Sequence, residues 1–284
     1  MIDSHSHTFY SKHAVGTVDE LVRASIAAGV KILTITDHAP FTVDRDNRLL
    51  ESELDRYFAD IERARQAYQG QIRILRGLEF DHMPGAQAYN RGLLDRYDLD
   101  FAIGSIHYVE LPGEPLAKVW ELPRLAGKAF LDRYFAHLHE LLECGLFDAV
   151  GHADTLLRAV PEDEVQRRME PLLPLFARHG VAYELNASGL RKSSLAPGSS
   201  TEVQGVWNYP SRGILPQLIA SGAAFTIGSD AHDPADAGAG IRPLLDELRP
   251  LGLERVCYFE GRRRIDLPLD FFNPAPATGT RTVL

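Results

Sequence analysis

Cysteine is scarce: only Cys144 and Cys257 occur in 284 residues, far apart and outside any C-x-x-C pattern. That excludes a disulfide framework and argues against thiolate metal chemistry, so both read as core residues. Apolar runs stop well before the roughly 18 residues that a membrane span needs, and the chain opens on Asp3 and His5 rather than on a signal-peptide core. A cytoplasmic protein without a membrane partner is expected. No stripe of lysine or arginine is present, and the formal net charge of -9 would repel a polyanion, which removes nucleic acid as a partner. Any anionic ligand must be small enough for a local positive centre to hold. No G-x-G-x-x-G follows the first strand-like run and no Walker loop occurs, so the usual nucleotide sites are missing too. With 45% hydrophobic and 24% charged residues and no low-complexity tract, the chain is long enough to bury a full core. A single domain over residues 1–270 is expected, with a loose tail over 271–284.

What is present is a regular alternation of short β-rich runs with amphipathic stretches, the pattern of repeated βα units around a parallel sheet. The expected strands are Met1–His7, Lys31–His38, Ile72–Phe80, Asp100–Tyr108, Phe147–Asp154, Gly180–Ser188, Ala223–His232 and Arg255–Phe259. Between them, Leu131, Tyr134, Phe135, Leu138, Leu141 and Leu142 recur at helical spacing and predict a helix packed on the outside of the sheet. Helices stop at glycines just before strands, as at Gly29, Gly180 and Gly222. Seven or eight such units favour a closed barrel over an open Rossmann-like sheet. Two longer insertions, Phe41–Leu50 and Val109–Leu122, are placed to form loops over a barrel mouth.

Seven of the eleven histidines fall at the C-terminal end of an expected strand or just beyond it. His5 and His7 are two apart in an extended segment, so both rings project to one side and can grip one cation; Asp230 and His232 repeat that spacing. His38, Glu79, His107 and His152 end four further strands, and His13 lies in the loop after the first. A lone histidine at a strand end is usually a satisfied polar residue. Imidazoles and carboxylates arriving together from six strands have no obvious structural purpose, whereas nitrogen and oxygen ligands suit zinc, iron or manganese.

These residues resemble the polymerase-and-histidinol-phosphatase (PHP) superfamily, and within it the histidinol-phosphate phosphatases, over roughly residues 1–265. The matching motifs are Asp3-Ser4-His5-Ser6-His7, His13, Thr36-Asp37-His38, Gly77-Leu78-Glu79, Gly104-Ser105-Ile106-His107, Gly151-His152 and Gly228-Ser229-Asp230-Ala231-His232. The resemblance implies a distorted TIM-like (β/α)7 barrel and three divalent transition-metal ions. One ion would take His5, His7, Glu79 and Asp230. A second would share Glu79 and take His107 and His152, and a third would take His13, His38 and His232. The amidohydrolases also open with His-x-His, but their pattern seeks a bridging residue on the fourth strand and a lone late aspartate. Here the bridging candidate Glu79 is on the third strand, and His232 follows Asp230.

Three divalent cations against two carboxylates would make a positive cluster that suits a phosphate dianion, with hydroxide made available on the metals as nucleophile. Asp230 and His232 would belong to that reacting centre. Arg158 and Arg191 lie just past strand ends where the resemblance implies phosphate contacts, and arginine's fork fits phosphate oxygens. Asp37, beside His38, and Asp154, beside Ala153, would orient an imidazole or shuttle a proton. His82 is expected to line the mouth. Glu110, Glu114 or Glu121 would meet the substrate's cationic amine, whereas His137, His139 and His179 read as structural or solvent-facing. The implied reaction is hydrolysis of a small phosphate monoester, L-histidinol phosphate, to L-histidinol and phosphate. The alternatives are a PHP phosphoesterase acting on a nucleotide, sugar phosphate or phosphotyrosine, and a metal-binding regulatory domain. The oligomeric state is not legible.

Overall fold

The computed structural model describes residues 1–124, 128–195, 202–203 and 209–272. The strands, in chain order, are β1 (Ile2–Asp3), β2 (Ile32–Ile35), β3 (Arg73–Asp81), β4 (Phe101–Ser105), β5 (Tyr108–Val109), β6 (Ala117–Lys118), β7 (Ala149–Val150), β8 (Ala182–Asn186), β9 (Ser194–Leu195), β10 (Glu202–Val203), β11 (Phe225–Gly228), β12 (Arg255–Glu260) and β13 (Arg263–Pro268). The helices are α1 (Val18–Ala27), α2 (Leu54–Ala67), α3 (Gln87–Arg96), α4 (Lys128–Glu143), α5 (Glu162–Met169), α6 (Leu173–His179), α7 (Leu215–Ala220) and α8 (Ile241–Leu248).

Local chemistry sets the ends of these elements. Thr17 Oγ accepts from Glu20 N while Glu20 accepts from Thr17 N, a capping box that starts α1. Gly29 and Gly180 sit at φ of 82° and 68°, where a side chain would be strained, and each turns the chain from a helix into the next strand. The α4 stripe expected from its spacing is buried at every position, from Leu131 to Leu142.

β1, β2, β3, β4, β7, β8 and β11 pair in that order, all parallel. Ser4 N donates to Ile227 O, Asp230 N to His5 O and His7 N to Ala231 O, each at 2.8 Å, and these bonds join β1 to β11. The ring is therefore a closed seven-stranded barrel with its helices outside. The eighth expected strand, β12, is real but is not a stave. It pairs with β11 at Thr226 and Cys257 and turns back antiparallel as β13.

Parallel register carries one lumen-facing set around the ring: Glu79 pairs with Ile103, Ile103 with Ala149, Ala149 with Ala182. Phe101, Ile103, Ala149, Ala182, Cys257 and Phe259 pack as an apolar cluster separate from the main core. The Phe101 and Phe259 rings stack at 5.2 Å. β12 thus supplies side chains that fill the N-terminal half of the lumen, and the polar residues of β3, β4 and β8 occupy the C-terminal half.

Candidate metal centre

The C-terminal half of the lumen is lined by histidines whose outer nitrogens are already engaged. His5 Nδ1 donates to Glu184 Oε1 at 2.6 Å, His7 Nδ1 to Ser11 Oγ at 3.1 Å and His107 Nδ1 to Asp81 Oδ1 at 2.7 Å. Each bond holds the tautomer that leaves Nε2 facing inward. His5 Nε2 and His7 Nε2 then lie 3.0 Å apart, and His13 Nε2 lies 3.1 Å from His232 Nε2. Two imidazole lone pairs at such a distance repel unless a positive charge, a proton or a metal cation, lies between them.

Glu79 is the hub. Its Oε2 accepts no hydrogen bond although it is buried and His38, His5 and His7 approach to 3.0, 3.4 and 3.6 Å. Its Oε1 takes Ser105 Oγ at 2.6 Å and His152 Nε2 at 3.1 Å. Burial pushes the Glu79 carboxyl up, but His38, His5 and His107 outweigh it and hold the group well below the carboxylate range. Burial likewise opposes charge on His5, yet Glu184, Glu79 and Asp230 raise it well above an ordinary imidazole. Burial and the His232 ring keep His7 neutral. Four buried carboxylates, Glu79, Asp81, Glu184 and Asp230, are set against Arg48 and the half-buried Lys192. An orphaned carboxylate oxygen, inward lone pairs and excess negative charge all fit bound cations.

Ligand-capable atoms fall into overlapping groups, His5-His7-Asp230, His5-Glu79-His152, His38-Glu79-His107 and His7-His38-His232, each within 4.8 Å. All nine expected ligands converge. The grouping differs from expectation in that His38 falls with Glu79 and His107 as well as with His232, and His13 joins through His232. Asp230 lies past the end of β11 at φ 51°, and His152 at φ 30°. These left-handed residues carry strain of order 1 kcal/mol each, as functional positions commonly do. Two glycines of the motifs make room. A Cβ on Gly228 would lie 2.3 Å from His5 Cβ, and one on Gly151 2.3 Å from Ser105 Oγ.

Several expected residues take other places. Asp37 does not reach the cavity as a catalytic group. It accepts from Thr8 N and Oγ1 and from Ser11 N and Oγ, fastening the turn that carries His7 and His13. Burial raises its carboxyl to about 6. Asp154 is likewise buried and raised to about 6, and it accepts from Ser211 N rather than from an imidazole. His82 does not line the mouth. Glu79 and Asp81 face the lumen, so strand alternation turns His82 outward, where it is buried against His137 and Phe147. His137 is also fully buried. Glu110 is exposed beyond β5, and its charge acts on His137 rather than on the cavity. Arg191 spends its guanidinium on Ala239 O, Ser229 O and Asp236. Arg158 donates to Ser193 O, with its charge acting on Lys192.

A cavity of about 400 Å³ opens above the histidines. Besides candidate ligands, its described walls include Arg48, Lys118 and Lys192, with Tyr108, Trp120 and Asn47. Sequence reasoning missed Glu184, Asp81, Arg48 and Lys192. Glu184 also accepts from His152 N at 2.6 Å, and Lys192 Nζ donates to Asp230 Oδ2 at 2.6 Å. A parity signal existed for two of them, since Asp81 follows Glu79, and Asn186 follows Glu184, by two residues within a strand.

The barrel is that of a PHP domain. That family matches residues 3–188, and the chain belongs to it. The chain is 31% identical over 264 residues to a probable histidinol-phosphatase of Deinococcus radiodurans, covering 91% of this chain and 96% of that one. It is 28% identical over 287 residues to a probable histidinol-phosphatase of Schizosaccharomyces pombe, covering 91% and 89%. The crystal structure of a histidinol phosphate phosphatase from Lactococcus lactis has a TM-score of 0.74 at 20% identity, covering 93% of this chain and 98% of that one, so the two share a fold. No described helix is long and apolar enough to cross a membrane.

Proposed function

We propose that this chain is a cytoplasmic metal-dependent phosphomonoesterase that hydrolyses L-histidinol phosphate to L-histidinol and phosphate, with three divalent transition-metal ions held by the nine convergent ligands. The observation that carries this reading is the orphaned Glu79 Oε2 among inward-facing imidazoles, beneath a cavity walled by cationic side chains. Two full-length relatives bear the histidinol-phosphatase name, and the Lactococcus lactis enzyme was solved with zinc, L-histidinol and phosphate.

Bound divalent cations would supply Lewis-acid charge to phosphoryl oxygens and ease deprotonation of water. The chain's own residues do the rest. Glu184 and Asp81 orient His5 and His107, while Ser188 Oγ and Lys192 Nζ, at 2.9 and 2.6 Å, hold the outer oxygen of Asp230. Lys192 and Arg48 bring fixed positive charge to a monoester dianion, and Arg158, outside the described cavity walls, acts on Lys192 through its charge. Tyr108 and Trp120 form an aromatic wall for the leaving alcohol. Arg191 serves as a buttress between Ser229 and Ala239. Arg158→Ala should raise KM through its effect on Lys192, by less than the roughly tenfold of a lost charge-assisted bond, with metal content unchanged. Steady-state kinetics and elemental analysis check it.

The decisive test is phosphate release from zinc- or manganese-loaded protein given L-histidinol phosphate, AMP, phosphotyrosine and a bis-aryl phosphodiester. L-Histidinol phosphate should show the highest kcat/KM. A preference for AMP or phosphotyrosine would move the substrate elsewhere within monoesters, and a preference for the diester would overturn the class.

A further inference from the structure

Arginine is almost never fully buried without a partner, yet Arg48, in the loop after β2, is 2% exposed beside the metal cluster. Its guanidinium joins three neighbouring segments. NH1 lies 2.6 Å from Asp81 Oδ2 at the end of β3 and donates to Ala39 O at 3.2 Å; Nε donates to Asp44 O and NH2 to Tyr108 Oη, both at 3.3 Å. Tyr108 in turn donates to Asp44 Oδ2 at 2.7 Å, which closes the loop onto the β5–β6 arm. The other oxygen of Asp81 takes His107 Nδ1 at 2.7 Å, and His107 Nε2 points back to Glu79 Oε1 at 3.5 Å. Arg48, Asp81, His107 and Glu79 therefore form one continuous chain from the cavity wall to the hub of the cluster.

We propose that Arg48 is a positioning residue for the metal centre: its ion pair with Oδ2 of Asp81, at 2.6 Å, restrains the carboxylate that orients His107. A carboxylate with one free oxygen can rotate, and a rotated Asp81 no longer holds the His107 ring with Nε2 inward. The effect is local. His38-Glu79-His107 depends on this chain, whereas His5-His7-Asp230 is oriented by Glu184, Ser188 and Lys192 from the opposite wall. Lysine cannot replace the fork, because a point charge reaches Asp81 but not Ala39, Asp44 and Tyr108 together.

The inference rests on the reading of the cluster as a metal centre, and the test separates the two. Wild type, Arg48→Met, Arg48→Lys, Asp81→Asn and the Arg48→Met/Asp81→Asn double variant are stripped and titrated with zinc against a chelator. Thermal midpoints are recorded in parallel. In Arg48→Met one equivalent should bind about 10–100-fold more weakly, as for other outer partners of metal ligands, with the remaining equivalents near wild type. Arg48→Lys should be intermediate, and Arg48→Met should add nothing in the Asp81→Asn background. Should Arg48→Met fail to fold for want of a partner to Asp81, the charge-neutral double variant and Arg48→Lys carry the same comparison. Unchanged binding of every equivalent, or a uniform weakening that tracks the thermal midpoint, overturns the role of Arg48 alone. A wild-type protein that binds no zinc overturns the metal centre and this inference with it.

Discussion

The two halves of the barrel lumen use the same strands to opposite ends. Along β4 the lumen-facing residues run Phe101, Ile103, Ser105, and along β8 Ala182, Glu184, Asn186. A step of two residues changes the environment from an apolar plug to a buried polar cluster. The lower half is held by burial of apolar surface, which depends on volume and tolerates many sequences. The upper half is held by directed bonds, and its carboxylates outnumber its fixed cations. There the identity of each side chain matters, because a buried polar group that loses its partner costs far more than the bond contributes when made.

Four changes would break or sharpen that contrast, the largest first. Glu79→Gln keeps the shape and removes the charge shared by the surrounding imidazoles. It should cost more than one metal equivalent and lower kcat on the order of 10³-fold or more, since a bound cation is worth several kcal/mol to the transition state. Full metal content and turnover would make Glu79 an ordinary strand residue. In the lower half, Phe259→Ala should destabilise by about 3–5 kcal/mol in denaturant unfolding, with metal binding per folded molecule unchanged. Loss of metal from the folded variant would show that the two halves are not independent.

Glu184→Gln should weaken metal binding about 10–100-fold by loosening His5, and chelator competition measures it. Binding at wild-type strength would leave His5 oriented by the backbone alone. The smallest effect lies outside the lumen. Burial, with the His137 ring beside it, depresses His82 to about 4 from an ordinary imidazole's 6.5. A depressed folded value means the stabilisation is complete above the unfolded value and is lost as pH falls from 6.5 towards 4. Between pH 7 and 5 this amounts to about 2 kcal/mol. His82→Gln should flatten the acid side of the stability profile by that amount, and an unchanged slope would remove His82 as the acid-sensitive group.

Strand positions, the helix–glycine junctions and the convergence of the nine residues expected as ligands were legible in the sequence, because period-2 alternation and the place of a residue at a strand end are local properties. The expectation that His82 lines the mouth was wrong although alternation held the contrary signal, since Glu79 and Asp81 share a face that His82 cannot. Other choices depended on distant segments. His5 meets Glu184 across 179 residues and Asp81 meets Arg48 across a loop, and a strand's own pattern says which face a residue takes but not what stands opposite. Arg191 and Lys192 are adjacent beyond β8, and the short turn Ala187–Leu190 sends the lysine to the cavity and the arginine to Ser229 and Ala239. β12 read as a strand that left seven or eight units open, and it became a plug, because β1 and β11 bond directly at their C-terminal ends and leave only the lower edge of β11 for it. The sequence by itself determined the βα repeat and which histidines and carboxylates end its strands. Only the tertiary structure decided which carboxylates and cations hold those side chains in place, because closing the ring brings opposite walls within hydrogen-bonding distance.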